Sequence, residues 1–78
     1  MKLTLWSWNV NGLRAALNKG FIKIIQNEQP DILGIQETKL QEHQIPEELN
    51  TLANYLIYWS HSIRKGYSGT GLFTKILP

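Results

Sequence analysis

The sequence predicts an α/β fold made of one βαβ unit followed by a β-hairpin. Three observations carry that reading. The run "KLTLWSWN" (2–9) alternates Leu3, Leu5 and Ser7 with Thr4, Trp6 and Trp8, two rows that are both largely apolar. Apolar residues recur at helical spacing through 21–29, and a second short apolar run, "DILGIQE" (31–37), follows. Two runs rich in aromatic and β-branched residues, 55–62 and 70–77, then flank a glycine-bearing stretch.

Residues 2–9 read as a strand covered on both faces, because both of its rows are apolar. "GLRAAL" (12–17) holds good helix formers, and Asn18, Lys19 and Gly20 form a C-cap-like break. Phe21, Ile24 and Ile25, at i, i+3 and i+4, give the helix at 21–29 one apolar face. Pro30 ends it. Residues 31–37 read as a buried strand, parallel to the first through a right-handed crossover. Residues 38–53 are polar and mixed, with a short helical turn over 46–52 that opens on Pro46. "YLIYWSHS" (55–62) is a third strand, "IRKGYSG" (63–69) a hairpin loop, and "TGLFTKIL" (70–77) a fourth strand.

The bulk numbers bound the function without naming it. The chain has 78 residues, of which 42% are apolar, which fits one small globular domain over 1–78. Such a chain buries only about 60–65% of the surface its unfolded form exposes. Eight Lys plus Arg against six Asp plus Glu give +2, a mild basic lean compatible with nucleic acid. Cysteine is absent, so no disulfide or thiolate metal site braces the fold, and a cytoplasmic location is expected. No apolar run approaches the roughly 20 residues of a membrane helix, and the N-terminus is too polar beyond Ser7 for a signal peptide.

"WSWNVNGLR" (6–14) poses the functional question, because Asn is a poor strand residue and this strand ends in two. In an open parallel sheet, ligands bind beyond the carboxyl ends of the strands. Asn9 and Asn11 stand at that end of the first strand and Glu37 at that end of the second. Amide carbonyl oxygens and a carboxylate are the hard donors that Mg²⁺ prefers. Two readings of the amides stand side by side: metal ligands, or an Asx-type turn into the helix.

Three stretches, "SWNVNGLRA" (7–15), "PDILGIQETK" (30–39) and "GYSGTG" (66–71), resemble the exonuclease III / apurinic-apyrimidinic endonuclease family in order and spacing. The resemblance runs through essentially the whole chain. It implies a four-layer α/β sandwich of the endonuclease/exonuclease/phosphatase superfamily, of which residues 1–78 would be the N-terminal portion. It also implies hydrolysis of DNA phosphodiesters at abasic sites and 3′ ends, dependent on Mg²⁺ with Mn²⁺ as the alternative ion. By this resemblance Glu37 ligates the metal, Asn9 stands at the edge of the metal site, and Asn11 occupies a position where some members carry an aspartate. Arg14 and Lys39 match basic positions facing the DNA backbone. Tyr67, with Gly66 and Ser68 beside it, matches a stretch that touches double-stranded DNA next to the site.

The inventory holds only half of a hydrolytic site. Asp31 is the only aspartate, and it starts the strand that Glu37 ends, roughly 20 Å away at about 3.3 Å per residue. Glu28 lies at the far end of the helix, Glu42, Glu47 and Glu48 show no motif spacing, and neither His43 nor His61 has an aspartate nearby in sequence. The expectation is a chain that is inactive alone. The alternatives are a non-catalytic module holding DNA through Arg14, Lys39, Arg64 and Lys65, or a phosphatase of the same superfamily, against which "GLRA" and "GYSGTG" speak. Trp6, Trp8 and Trp59 read as core. Apolar residues on both sheet faces, with Trp6, Trp8, Leu33 and Ile35 divided between them and "GLFTKIL" as an open edge, lead to an expectation of self-association.

Overall fold

A computed structural model describes residues 2–62 and 68–76, and in it the alternating runs become four strands. These are β1 (Leu5–Asn9), β2 (Ile32–Gln36), β3 (Leu56–Ser60) and β4 (Thr70–Thr74). Between β1 and β2 lie α1 (Leu13–Asn18) and α2 (Phe21–Glu28). Gly20 turns the chain between the helices at a φ of 96°, which a residue without Cβ adopts without strain. Gln29 closes α2 in the left-handed conformation, and Pro30 follows. The 3₁₀ turn Glu47–Thr51 begins after Pro46, as the sequence indicates. A second 3₁₀ turn, Glu42–Gln44, falls in the polar, mixed stretch, where the sequence reading names no element. Gln41 and Gln44 cap it reciprocally, a box built from glutamines where serine or threonine is the usual signal.

The sheet order is β1-β2-β4-β3. β1 and β2 are parallel, from Leu5 opposite Ile32 to Asn9 opposite Gln36. β4 runs antiparallel to both β2 and β3. Residues 71–74 of the run "GLFTKIL", expected at an open edge, therefore lie inside the sheet, the strand ends at Thr74, and β1 and β3 form the sheet's edges. The cause is Phe73, which is wholly buried and meets Phe21, Tyr55 and Trp59 edge-on at ring separations of 5.8, 6.4 and 5.9 Å. An edge strand could not enclose that ring on all sides. Gly71 makes room beside it: a Cβ there would stand 3.0 Å from the Trp59 ring and 3.1 Å from Ile35.

The register also corrects the division of apolar residues. Trp6, Trp8, Leu33, Ile35, Ile57, Trp59 and Phe73 share one face, because a strand's side chains alternate strictly. That face packs on Leu13, Ala16, Phe21 and Ile25 of the helices, with the three tryptophans partly buried against the core. The opposite face carries Leu5, Ile32, Leu56, Tyr58 and Leu72 at one end. Of these, Leu5 is 66% exposed and Tyr58 45%. Towards the other end the same face turns polar, with Ser7, Asn9, Gln36, Thr70 and Ser60.

Replacing Phe73 by Ala is expected to cost about 3–5 kcal/mol, the range for an enclosed aromatic, measured by urea unfolding. Tyr55 offers a test with a pH signature. Its hydroxyl donates to the Pro30 carbonyl at 2.5 Å, and burial, with Asp31 nearby, raises its pKa above the ordinary 10.0. The folded state thus holds the phenolic proton more tightly than the unfolded chain. The resulting stability is complete below pH 10.0 and is lost as pH rises through the folded-state value. Tyr55→Phe is expected to cost about 1 kcal/mol at pH 7 and measurably less at pH 11.

Candidate functional site

Parallel β1 and β2, with β4 running against them, bring the ends of β1, β2 and β3 and the start of β4 to one edge of the sheet. Asn9, Gln36, Thr70 and Ser60 stand there side by side. Beyond this row three backbone segments are laced together. The amides of Val10, Gly12 and Leu13 donate to the carbonyls of Gln36, Glu37 and Thr38 at 3.1, 2.7 and 3.0 Å. On the other side, Thr38 N–H donates to Gly69 O at 3.1 Å and Lys39 N–H to Ser68 O at 2.7 Å. The turn 37–39 is held by both of its neighbours.

This lacing imposes unusual backbone angles. Asn11, Glu37, Lys39 and Ser68 all have positive φ, at 48°, 55°, 58° and 35°. Asn visits that region readily, but Glu and Lys do so at a cost of roughly 1–2 kcal/mol each. Such angles persist only where the surroundings over-determine them, and they cluster at functional sites. Here they present the side chains of a carboxylate and an ammonium, two residues apart, at the sheet's end.

The side chains continue the network. Asn9 Oδ1 accepts the amide N–H of Asn11 at 3.0 Å, an Asx turn, while its Nδ2 donates to Glu37 Oε2 at 2.5 Å. Lys39 Nζ donates to Asn11 Oδ1 at 2.8 Å. Gln36 Nε2 reaches Ser7 Oγ at 3.1 Å and stiffens the adjoining polar end of the sheet. Asn9 makes the turn and also holds the carboxylate. Both amide oxygens are already engaged by donors, so Glu37 is the hard anionic group that the site offers. Among the described residues no three His, Cys, Asp or Glu side chains gather as a metal cluster. A single carboxylate suits a largely hydrated Mg²⁺, which commonly binds through one or two carboxylates together with substrate phosphates.

The structure brings Asn9, Asn11, Glu37 and Lys39 into one connected group, and Ser68 joins it through its carbonyl. Arg14 stands apart from that group. It is exposed on α1, in a cleft of about 440 Å³ shared with Asn18, His43, Gln44 and Glu48. Gly66, Tyr67, Arg64 and Lys65 lie outside the described residues. His61 places Nδ1 3.1 Å from the Leu40 carbonyl and stacks on Trp59. Asp31 sits at the far end of β2, accepting the Thr4 amide at 2.8 Å. Thr38 and Gly69 were not singled out from the sequence. Thr38 is buried, and a Cβ on Gly69 would come 2.5 Å from its hydroxyl. A threonine between two charged residues and a glycine in a glycine-bearing loop gave no signal beyond turn chemistry.

The description "Endonuclease/Exonuclease/phosphatase family" fits residues 6–77. The chain is similar to an exodeoxyribonuclease of Bacillus subtilis, 44% identical over 97% of the chain and 29% of the relative. It is likewise similar to the DNA repair nuclease APEX1 of Danio rerio, 42% identical over all of the chain and 25% of the relative. Among solved structures it resembles an AP endonuclease from Archaeoglobus fulgidus, at a TM-score of 0.80 and 31% identity over 95% of this chain and 28% of that one. It also resembles the 3′ phosphatase NExo from Neisseria bound to product DNA hairpin, at a TM-score of 0.82 and 27% identity over 99% of this chain and 29% of that one. The chain thus spans less than a third of the length of these relatives.

The left-handed angle at Asn11 gives a direct test. Asn11→Val is expected to destabilise the chain by about 1–2 kcal/mol for the backbone alone, whereas Asn11→Gly keeps the angle and loses only the bond to Lys39. Thermal unfolding of both variants should rank Gly clearly above Val.

Proposed function

We infer the function from family and site together: the chain belongs to the endonuclease/exonuclease/phosphatase family, and within it to the exonuclease III / apurinic-apyrimidinic endonuclease group. The function is that of a DNA repair nuclease, hydrolysing phosphodiesters at abasic sites and 3′ ends with Mg²⁺ or Mn²⁺. The observation that supports it most is the strained, laced turn that holds Glu37 and Lys39 at the carboxyl end of the sheet.

Each residue then has a role that follows from its chemistry. Glu37 would hold the metal, which when bound neutralises phosphate charge and polarises the phosphoryl oxygen. Asn9, donating to Oε2, fixes the direction of that carboxylate. Lys39 supplies a positive charge for a phosphate oxygen, and its partner Asn11 is a neutral amide, so the charge is not cancelled. Arg14 adds a backbone contact from α1, and Gly66, Tyr67 and Ser68 contact the DNA beside the site. The solved Neisseria relative bound to a product DNA hairpin supports a DNA partner.

A phosphodiester hydrolase also needs a base or a positioned water and help for the leaving oxygen. Glu37 alone does not supply both. The 78-residue chain is therefore expected to bind DNA without cutting it. Its open apolar face, with Leu5, Leu56, Tyr58 and Leu72, takes the second sheet of the sandwich in a longer protein and associates with itself in the isolated chain.

Fluorescence anisotropy with a duplex carrying an abasic-site analogue tests this reading. Binding should weaken linearly with log salt, and Lys39→Ala should weaken it on all sequences and lower the slope by about 1. Mg²⁺ should strengthen binding, and Glu37→Gln should remove that gain. No cleavage product should form. An unchanged salt slope in Lys39→Ala, or Mg²⁺-dependent cleavage that survives Glu37→Gln, would contradict the assignment.

A further inference from the structure

We propose that Thr38 is the positioning residue of this site: locked against Gly69, it aims Glu37 and Lys39. What those two side chains do rests on the function proposed above, whereas the geometry does not. Thr38 is 1% exposed, and its Oγ1 is a buried polar atom with no hydrogen-bond partner among the described residues. A buried hydroxyl without a partner is unfavourable, and its retention calls for a reason.

The reason is steric. Both backbone groups of Thr38 are engaged, the N–H by Gly69 O and the C=O by Leu13 N–H. Its two neighbours, Glu37 and Lys39, are both left-handed, so the turn alternates sharply about Thr38. The Thr38 side chain is buried while that of Glu37 is half-buried and that of Lys39 exposed. A Cβ on Gly69 would stand 2.5 Å from Thr38 Oγ1, far inside contact distance. The hydroxyl therefore fills the space that the missing side chain at 69 leaves open. It acts as a key in a slot: the turn cannot slide along the 68–69 backbone while Thr38 is seated. A slip of one residue would exchange inward and outward directions, as it does in any extended pairing. Glu37 would then lose Asn9, and Lys39 would lose Asn11.

The test uses the 78-residue chain labelled with ¹⁵N, and reads the Asn9 side-chain amide, which reports the bond to Glu37 without DNA or metal. In Thr38→Ala the key is shortened, and the Asn9 resonances should move to the positions of a free, solvent-exposed amide. In Thr38→Val the shape is largely kept and the unpaired oxygen removed, so the resonances should stay and the melting temperature should not fall. Gly69→Ala should displace the resonances through collision. Adding Thr38→Ala to it should cost less than the sum of the single effects. If Gly69→Ala does not fold, the Ala and Val variants at 38 decide alone. Resonances unmoved in Thr38→Ala would overturn the proposal. So would equal displacement in Thr38→Val, since a hydrogen bond would then be the anchor. Duplex affinity of the same variants separates the two claims. Displaced resonances with a severalfold loss of affinity in Thr38→Ala support both. Displaced resonances in a chain that binds no DNA at all uphold the positioning and remove the nuclease reading.

Discussion

Everything at the sheet's end depends on the backbone of residues 37–39, bonded on one side to 12–13 and on the other to 68–69. Four backbone hydrogen bonds, each worth about 1 kcal/mol net, act on a single three-residue turn. That is enough to offset the cost of placing Glu37 and Lys39 in left-handed conformations. Without the lacing, the turn would relax and its two charged side chains would point independently into solvent. With it, a carboxylate and an ammonium are fixed relative to each other before any ligand arrives. This is the preorganisation that charged substrates reward, because little ordering remains to be done on binding.

The lacing in turn requires the sheet order. Residues 68–69 lie beside 37–39 only because β4 pairs with β2. β4 takes that central place because Phe73 needs enclosure by Phe21, Tyr55 and Trp59. Core packing and site geometry are thus one construction: the aromatic cluster sets the strand order, and the strand order sets which loops meet.

Much of this was legible in the sequence. The alternation of 2–9, the helical spacing of Phe21, Ile24 and Ile25, and the stop at Pro30 fix β1, α2 and β2 through local rules that tertiary contacts did not override. The meeting of Asn9, Asn11 and Glu37 was legible because polar groups end apolar strands and the parallel crossover puts those ends together. The insertion of β4 between β2 and β3 was not legible, because pairing partners depend on where a buried ring finds enclosure. The placement of Trp6, Trp8, Leu33 and Ile35 on a single face was missed for a related reason: apolar composition in both rows hides which row faces the helices, and only the register resolves it. The left-handed angles at Glu37 and Lys39 run against the preferences of those residues, so no propensity could announce them. Thr38 was invisible because its significance lies in a contact with a residue 31 positions away that has no side chain.

Glu37, Asn9, Asn11 and Lys39 form one connected group at the carboxyl end of the sheet, ordered before any ligand binds. Titration of the ¹⁵N-labelled chain with Mn²⁺ probes this group as a cation site, because paramagnetic broadening reports where a hard cation sits. The amides of 9–12, 37–39 and 68–70 should broaden first and together, and Glu37→Gln should abolish the effect. Broadening that begins instead at Glu42, His43, Glu47 and Glu48, and is unchanged in Glu37→Gln, would contradict it.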